Sequence, residues 1–435
     1  MTGFGAFVAA AARRGELVVQ PRMGFGDVAR MRAGLVATRD AGVPAAGTIT
    51  LDSFTRTGDH GSVRAALAEG RQLNGYPIVD HPLEVTREML AGLCGPDFPV
   101  QVRHGSPRPQ RIMAALVAAG LDATEGGPIS YCLPYSRVPV AESVRAWTEA
   151  VRVFAGQREH GRPHLETFGG CMMGQLCPPA LLVAISLLEA MFFRGLGLDS
   201  VSLSYAQQTH PGQDLEALLA LRALAGEFLP ATEWHIVVYA YMGSFPRTPG
   251  GALALVADAA RLCVRGGAER LIVKTTAEAH RIPTIAENVT ALRVASATAG
   301  VEDGRAAVVE DTGIAAQARA VVEAVLDLET DLGAGLARAV RIGLLDVPYC
   351  LHPDNARRTG ATVDAAGRLR WTRTGDLPLR GLADAGGEPG TAEQLLRALS
   401  YMERKYDDAA LNASGDGREQ PLAAATTSAV RRTGQ

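Results

Sequence analysis

VQVRHGSPRPQRIMAALVAAGLDATEG, residues 100–126, reads as a strand, a turn, a helix and a second strand. Val100–His104 places Val100 and Val102 on one face and Gln101 and Arg103 on the other, as the two-residue period of a strand requires. Gly105, Pro107 and Pro109 break that run. From Pro109 to Ala119 the apolar residues recur at helical spacing, and Asp122–Gly126 returns to strand length. Strand, helix and strand in succession form the unit of a parallel sheet.

The unit repeats on both sides. Runs of strand length fall at Thr48–Asp52, Tyr76–Asp80, Val100–His104, Asp122–Gly126, His164–Phe168, Val201–Tyr205, His235–Tyr241 and Arg270–Thr275. Helix-like stretches such as Val63–Leu73, Glu142–Ala155 and Gly251–Val264 lie between them. Eight such units predict an α/β fold, a (β/α)8 TIM barrel with a C-terminal helical and irregular extension. An open doubly wound sheet is disfavoured because no GxGxxG or P-loop follows the first strand. The expected division is a lead-in at 1–45 packed on the barrel, a catalytic barrel at 46–300, an extension at 301–410 and a disordered tail at 411–435. The lead-in carries a helical run, Asp27–Ala41.

Of 435 residues 47% are hydrophobic, enough to bury a large core. A net charge of −3 gives no reason to expect nucleic acid. The longest apolar run, Pro178–Phe193, contains Glu189 and is too short to span a bilayer, so no membrane association is expected. Cysteines at 94, 132, 171, 177, 263 and 350 form no CxxC pair, which fits reduced thiols in the cytoplasm. Lys274 and Lys405 are the only lysines among 43 basic residues. In a chain so rich in arginine only an arginine's position carries information. Lys274, conversely, marks a place where a compact ammonium is wanted.

Chemistry on such a barrel belongs at the carboxyl ends of the strands. Arg56 follows strand one, Arg103 ends strand three, Glu125 ends strand four and Lys274 ends strand eight, with Glu278 four residues on. Two guanidinium forks suit two carboxylates, and a glutamate beside them suits an ammonium. That set describes an acidic amino acid. Arginines paired with neighbouring acids such as Asp52 or Glu125, merely closing the barrel mouth, explain the same positions. A metal site built from His81, His104, Glu125 and Glu166 is opposed by Arg103, so no metal is expected. Cys171 lacks an evident base for a nucleophilic role.

The motifs Gln20-Pro-Arg-Met-Gly-Phe25, Asp52-Ser-Phe-Thr-Arg56, Asn74-Gly-Tyr-Pro77, Arg103-His-Gly105, Glu125-Gly-Gly with Ile129-Ser-Tyr131, Pro134-Tyr135, Phe168-Gly169, Pro178-Pro179, Met242-Gly-Ser-Phe-Pro246 and Val273-Lys-Thr275 resemble, in order, the large (epsilon) subunit of glutamate mutase. The resemblance implies a barrel that rearranges L-glutamate to (2S,3S)-3-methylaspartate with adenosylcobalamin. It implies that Arg22, Arg56 and Arg103 grip the substrate carboxylates, that Glu125 meets its amino group, and that Tyr131 and Tyr135 line the pocket. It implies that Lys274 and Glu278 hold the cofactor ribose, with Gly24, Asn74, Phe168 and Met242 near the adenosyl group.

The cofactor's lower cobalt ligand would come from a separate small subunit with a DxHxxG motif, because none of the nine histidines here has Asp two residues before it. The implied assembly is a homodimer of this chain inside a heterotetramer. Departures are Cys132 where asparagine is expected, Ser204-Tyr-Ala-Gln-Gln-Thr-His210 in place of a glycine-rich turn, and Tyr239 in place of a histidine. They leave open a mutase for another acidic amino acid. A metal-dependent barrel lyase is the reading from a different class.

Overall fold

The computed structural model describes residues 3–157, 161–174, 176–304, 309–386 and 391–415. Eight strands form one sheet: β1 (Val18–Pro21), β2 (Gly47–Thr50), β3 (Val100–Arg103), β4 (Ala123–Gly126), β5 (His164–Thr167), β6 (Ser200–Ala206), β7 (Glu233–Tyr239) and β8 (Arg270–Val273). Every pairing is parallel, and the order runs β1-β8-β7-β6-β5-β4-β3-β2. Between β1 and β2 the seam is joined by Val19 N–H to Pro44 O at 2.9 Å, Ala46 N–H to Val19 O at 3.2 Å and Thr50 N–H to Met23 O at 2.9 Å. The expected (β/α)8 barrel is the fold.

One strand differs from the sequence reading. Tyr76–Asp80 is not a strand; Tyr76 makes a single bridge to Leu51, and Pro77 cannot extend a ladder because it has no N–H. The eighth strand is Val18–Pro21, so the sheet begins inside the segment assigned to the lead-in. Pro21 is tolerated there because it is the last residue of its strand. The helix expected at Asp27–Ala41 is Val28–Arg39, capped by Asp27, which accepts from Arg30 N–H at 2.7 Å. A further helix, Phe4–Arg13, closes the bottom of the barrel, where Phe4, Val8 and Ala11 pack with Val18, Ala46 and Ala123.

The long apolar run is the helix Pro179–Gly195, nearly all of it buried. Among the described residues no helix is long and apolar enough to cross a membrane. Past the barrel, helix Ile314–Leu326 packs on Pro179–Gly195 and helix Leu332–Ile342 on Val140–Gly156. A hairpin follows, β9 (Thr359–Val363) with β10 (Leu369–Thr374). The last helix, Tyr401–Gly415, lies along Pro249–Gly266 and extends past the point where a tail was expected. The rest of that tail, 416–435, is outside the described residues.

Above Phe4 the barrel interior is polar. His164 meets Ser200 Oγ at 2.9 Å and Ser202 Oγ at 3.0 Å, and its ring stacks between Phe4 and His235. One step higher the Arg270 guanidinium meets Gln20 Oε1, Glu166 Oε2, Ser202 Oγ at 3.0 Å and His235 Nε2 at 3.2 Å. Gln101 joins the layer through Gln20 at 2.9 Å and Glu166 at 3.1 Å. Arg270 and Glu166 are both 0% exposed. Such a layer is tolerated only because its members satisfy one another.

Candidate active site

The next layer up is the mouth. Parallel register sets β3 beside β4 so that Arg103 reaches Glu125, Nε to Oε2 at 2.6 Å, with both side chains buried. Glu125 accepts two further hydrogen bonds, from the Tyr131 hydroxyl at Oε1 and from the Tyr239 hydroxyl at Oε2 at 2.7 Å. Burial alone would raise the pKa of Glu125, but Arg103 and the two phenols bring it below the usual carboxylate value. The Tyr239 ring lies under the Arg103 guanidinium, 5.1 Å from its centroid, and its hydroxyl stands between Glu125 Oε2 and Glu166 Oε1, so its one proton serves one of the two carboxylates at a time. Tyr239 thus ties the mouth to the polar layer beneath.

Arg56 comes from the short helix Ser53–Thr57, which Asp52 caps by accepting from Phe54 and Thr55 N–H, each at 2.9 Å. Asp52 is therefore occupied by the backbone, and the Arg56 Nε is buried without a partner. Gly105 has φ of 90°, and a Cβ there would lie 3.6 Å from Arg56 Cδ. His104 is held neutral, burial pushing it down to about 4. Its Nδ1 accepts from Ser106 N–H at 3.0 Å, so Nε2 carries the proton and faces the Glu125 backbone. Tyr131, Tyr135, Phe168 and Trp147 wall this side, with Tyr131 5.0 Å from Phe168 and Tyr135 52% exposed at the rim.

On the facing side, Glu278 Oε1 pairs with Lys274 Nζ at 3.1 Å and with Arg22 Nη1 at 3.2 Å. Burial lowers Lys274 to about 8, with Glu278 holding it against a larger drop. Lys274 stands 5.1 Å above the Phe245 ring. A cavity of about 240 Å³ opens beside them, lined in part by Arg22, Gly24, Asn74 and Glu278. Asn74 Oδ1 accepts from Ser53 N–H at 2.9 Å. Gly24 has a local reason to be glycine, since a Cβ would lie 2.3 Å from Thr50 O. Met242 follows β7 and packs, half-buried, on the core. Arg22, Arg103 and Lys274 are close enough to act on one another's neighbours electrostatically, so both sides share one mouth.

The pairing of Arg103 with Glu125 realises the bland alternative for that arginine; Arg56 pairs with no acid among the described residues. Of the residues weighed for a metal, Glu125 and Glu166 each hold an arginine. Among the described residues no three His, Cys, Asp or Glu gather to hold a metal ion. Cys171 is buried, which pushes its thiol far up and makes it a poor nucleophile. The sequence reading missed the work of Tyr239 and of His104. Alternation along β7, which puts His235, Val237 and Tyr239 on one face, is the signal that could have found the first.

A sequence profile described as "Methylaspartate mutase E chain (MutE)" matches residues 2–386. The glutamate mutase epsilon subunit of Yersinia enterocolitica is 32% identical over 349 residues, covering 76% of this chain and 72% of that protein. The subunit of the same name from Desulfitobacterium hafniense is 30% identical over 348 residues, covering 76% and 71%. That from Halobacterium salinarum is 30% identical over 347 residues, covering 76% and 71%.

Proposed function

The chain belongs to the methylaspartate mutase E chain family, and on that premise we propose that it is the large, substrate-holding subunit of a mutase interconverting L-glutamate and (2S,3S)-3-methylaspartate. The observation that carries this reading is the buried Arg56 Nε, without a partner among the described residues, beside the Arg103–Glu125 pair. A buried donor without an acceptor is costly, and a substrate carboxylate relieves it. Arg22, Arg56, Arg103 and Lys274 outnumber Glu125 and Glu278, so the mouth favours a ligand with net negative charge. L-Glutamate, with two carboxylates and one ammonium, is such a ligand.

Each group then has a task. Arg103 meets Glu125 through Nε, which leaves its Nη edge for one substrate carboxylate. Arg56, with Arg22, takes the other. Glu125, anchored by Tyr131 and Tyr239, accepts the ammonium. Tyr131, Tyr135 and Phe168 keep water from the reacting carbons.

The residues present also fit adenosylcobalamin. Glu278 accepts and Lys274 donates, as ribose hydroxyls require, beside a cavity lined by Gly24 and Asn74. When bound, the cofactor supplies the hydrogen-atom abstraction that starts the rearrangement. A small DxHxxG subunit would supply the cofactor's cobalt ligand, and the assembly proposed is a heterotetramer around a dimer of this chain. Six free thiols fit a cytoplasmic setting.

The test is to combine the chain with a small cobalamin-binding subunit, adenosylcobalamin and L-glutamate, and to follow carbon NMR. Formation of 3-methylaspartate, lost in Arg56→Ala, is expected. Failure to bind either cofactor or glutamate refutes the reading. Tyr239, whose phenol fills the floor under Arg103, favours one second reading, a mutase for another acidic amino acid. A panel of dicarboxylic amino acids in the same assay separates the two.

A further inference from the structure

Helix Pro179–Gly195 is almost wholly apolar, yet it carries one carboxylate, Glu189, at 0% exposure. The groups that hold it are neutral. Oε1 accepts from Ile129 N–H at 3.2 Å and Ser130 N–H at 2.9 Å. Oε2 accepts from Ser130 Oγ at 2.9 Å and Gly169 N–H at 2.9 Å. Those donors lie on two different loops, one after β4 and one after β5. The first carries Tyr131 in the next position and the second carries Phe168 in the position before. Gly127 makes room for the carboxylate: a Cβ there would lie 2.0 Å from Oε1.

A buried carboxylate with no cation beside it among the described residues is an expensive way to hold two loops. An amide, an alcohol or an apolar residue cannot replace it, because three N–H groups and one hydroxyl converge on two oxygens. Tyr131 and Phe168 pack against each other at 5.0 Å, and Tyr131 donates to Glu125. One side chain outside the pocket therefore fixes two of its walls at once.

We propose that Glu189 is a positioning residue for the active site, holding the Tyr131 and Phe168 loops in register through its ionised carboxylate and releasing one of them when it takes up a proton. Its bearing on turnover rests on the mutase reading above; its hold on the loops does not. The release has a direction. Oε1 faces two backbone N–H groups, which can only donate, whereas at Oε2 the Ser130 hydroxyl can turn its own proton away and accept, so the proton goes to Oε2 and is donated to Ser130 Oγ. Gly169 N–H is then left facing a hydroxyl oxygen, a weaker acceptor, and Phe168 loosens.

Burial raises Glu189 to about 7, against the pull of its four donors. The proton therefore arrives near neutrality. The titratable groups on the elements packed around this helix are His164 and Glu166 on β5, Cys171 in the turn after it, Tyr205 on β6, Asp214, Glu216, Arg222 and Glu227 on helix Pro211–Phe228, and Arg319 and Glu323 on helix Ile314–Leu326, with Tyr131 on the loop after β4. None of them is a hydrogen-bond partner of Glu189.

The experiment has two arms. In the first, the amide resonance of Gly169 is followed across pH in the chain alone. It is expected to shift with a midpoint near 7 in the wild type and to stay fixed in Glu189→Gln, whose amide mimics the protonated acid. An amide that does not titrate, or that titrates equally in the variant, overturns the proposal. In the second, the chain is assembled with the small subunit, adenosylcobalamin and L-glutamate. Wild-type kcat is expected to fall on the acid side of that midpoint. Glu189→Gln is expected to show a kcat about fivefold to tenfold lower with a flat profile, the effect of weakening one hydrogen bond. A variant that keeps the wild-type acid limb overturns the role in turnover. If no preparation turns over glutamate while the amide titrates as expected, the substrate reading falls and the hold on the loops stands.

Discussion

Replacing Glu166 by glutamine tests whether the barrel mouth is held from below. The substitution keeps shape and removes one charge, so packing is not the variable. Arg270, at 0% exposure, loses the carboxylate at its Nη2 and keeps only neutral acceptors: Gln20 Oε1, Gln101 Oε1 at 3.5 Å, Ser202 Oγ at 3.0 Å and His235 Nε2 at 3.2 Å. Removing one partner of a buried pair costs about 3–5 kcal/mol. Four surviving acceptors place this case near the low end, about 3 kcal/mol, a large part of the roughly 5–15 kcal/mol that holds a folded domain. Urea unfolding followed by far-UV circular dichroism measures the loss. A cycle with Arg270→Met isolates the pair: the double variant is expected to recover most of it, because removing both charges removes the uncompensated one. Activity provides a second reading, since the Tyr239 hydroxyl joins Glu166 to Glu125 and kcat/KM should fall with stability. A loss under about 1 kcal/mol, or a double variant no better than the single one, would refute the argument.

Tyr239→Phe keeps the ring under Arg103 and removes the hydroxyl at 2.7 Å from Glu125. About 1–1.5 kcal/mol of anchoring is lost, so KM for L-glutamate should rise roughly tenfold in steady-state assays with little change in thermal midpoint. Arg56→Ala removes a side chain whose Nε has no partner. Thermal stability should hold, while kcat/KM drops on the order of 10²-fold through misplacement of the reacting carbon; equal losses in both would count against a substrate role. Lys274 titrates at about 8, below its ordinary value, so its charge and its pair with Glu278 are lost as pH rises through that point. Adenosylcobalamin affinity of the assembled enzyme, measured by absorbance titration, should therefore weaken above pH 8 in the wild type and be flat in Lys274→Met. Because the unfolded chain holds this proton more tightly, Lys274 makes folding stability rise with pH from about 8 to its ordinary value.

The barrel was legible where a strand shows its period. Val100-Gln-Val-Arg103 alternates openly, and its inward residues, Gln101 and Arg103, lie in the polar layer and at the mouth. β1 was harder because Val18–Pro21 is four residues long and ends in proline, whereas Tyr76-Pro-Ile-Val79 has strand composition without a ladder to join. Position alone brought Arg56, Arg103, Glu125 and Lys274 to one rim. It could not say that Arg103 and Glu125 pair with each other, since partner choice between long side chains is settled across strands and not along them. Nor could it single out Arg270, one arginine among 43 basic residues, at the amino end of β8, where this fold usually needs only stability.

That last residue shows where a reading confined to strand ends stops short. In a barrel filled by branched aliphatic side chains the mouth rests on an inert floor. Here the floor is Arg270, Glu166, Gln20 and Gln101, and the Tyr239 hydroxyl stands between Glu166 and Glu125 with one proton for either. A polar floor can fix the azimuth of a carboxylate above it, which an apolar one cannot, since dispersion has no preferred direction. The substrate ammonium proposed for Glu125 needs that direction. The buried charges are thus better explained by the orientation they impose than by the stability they add, which for such pairs is small or negative.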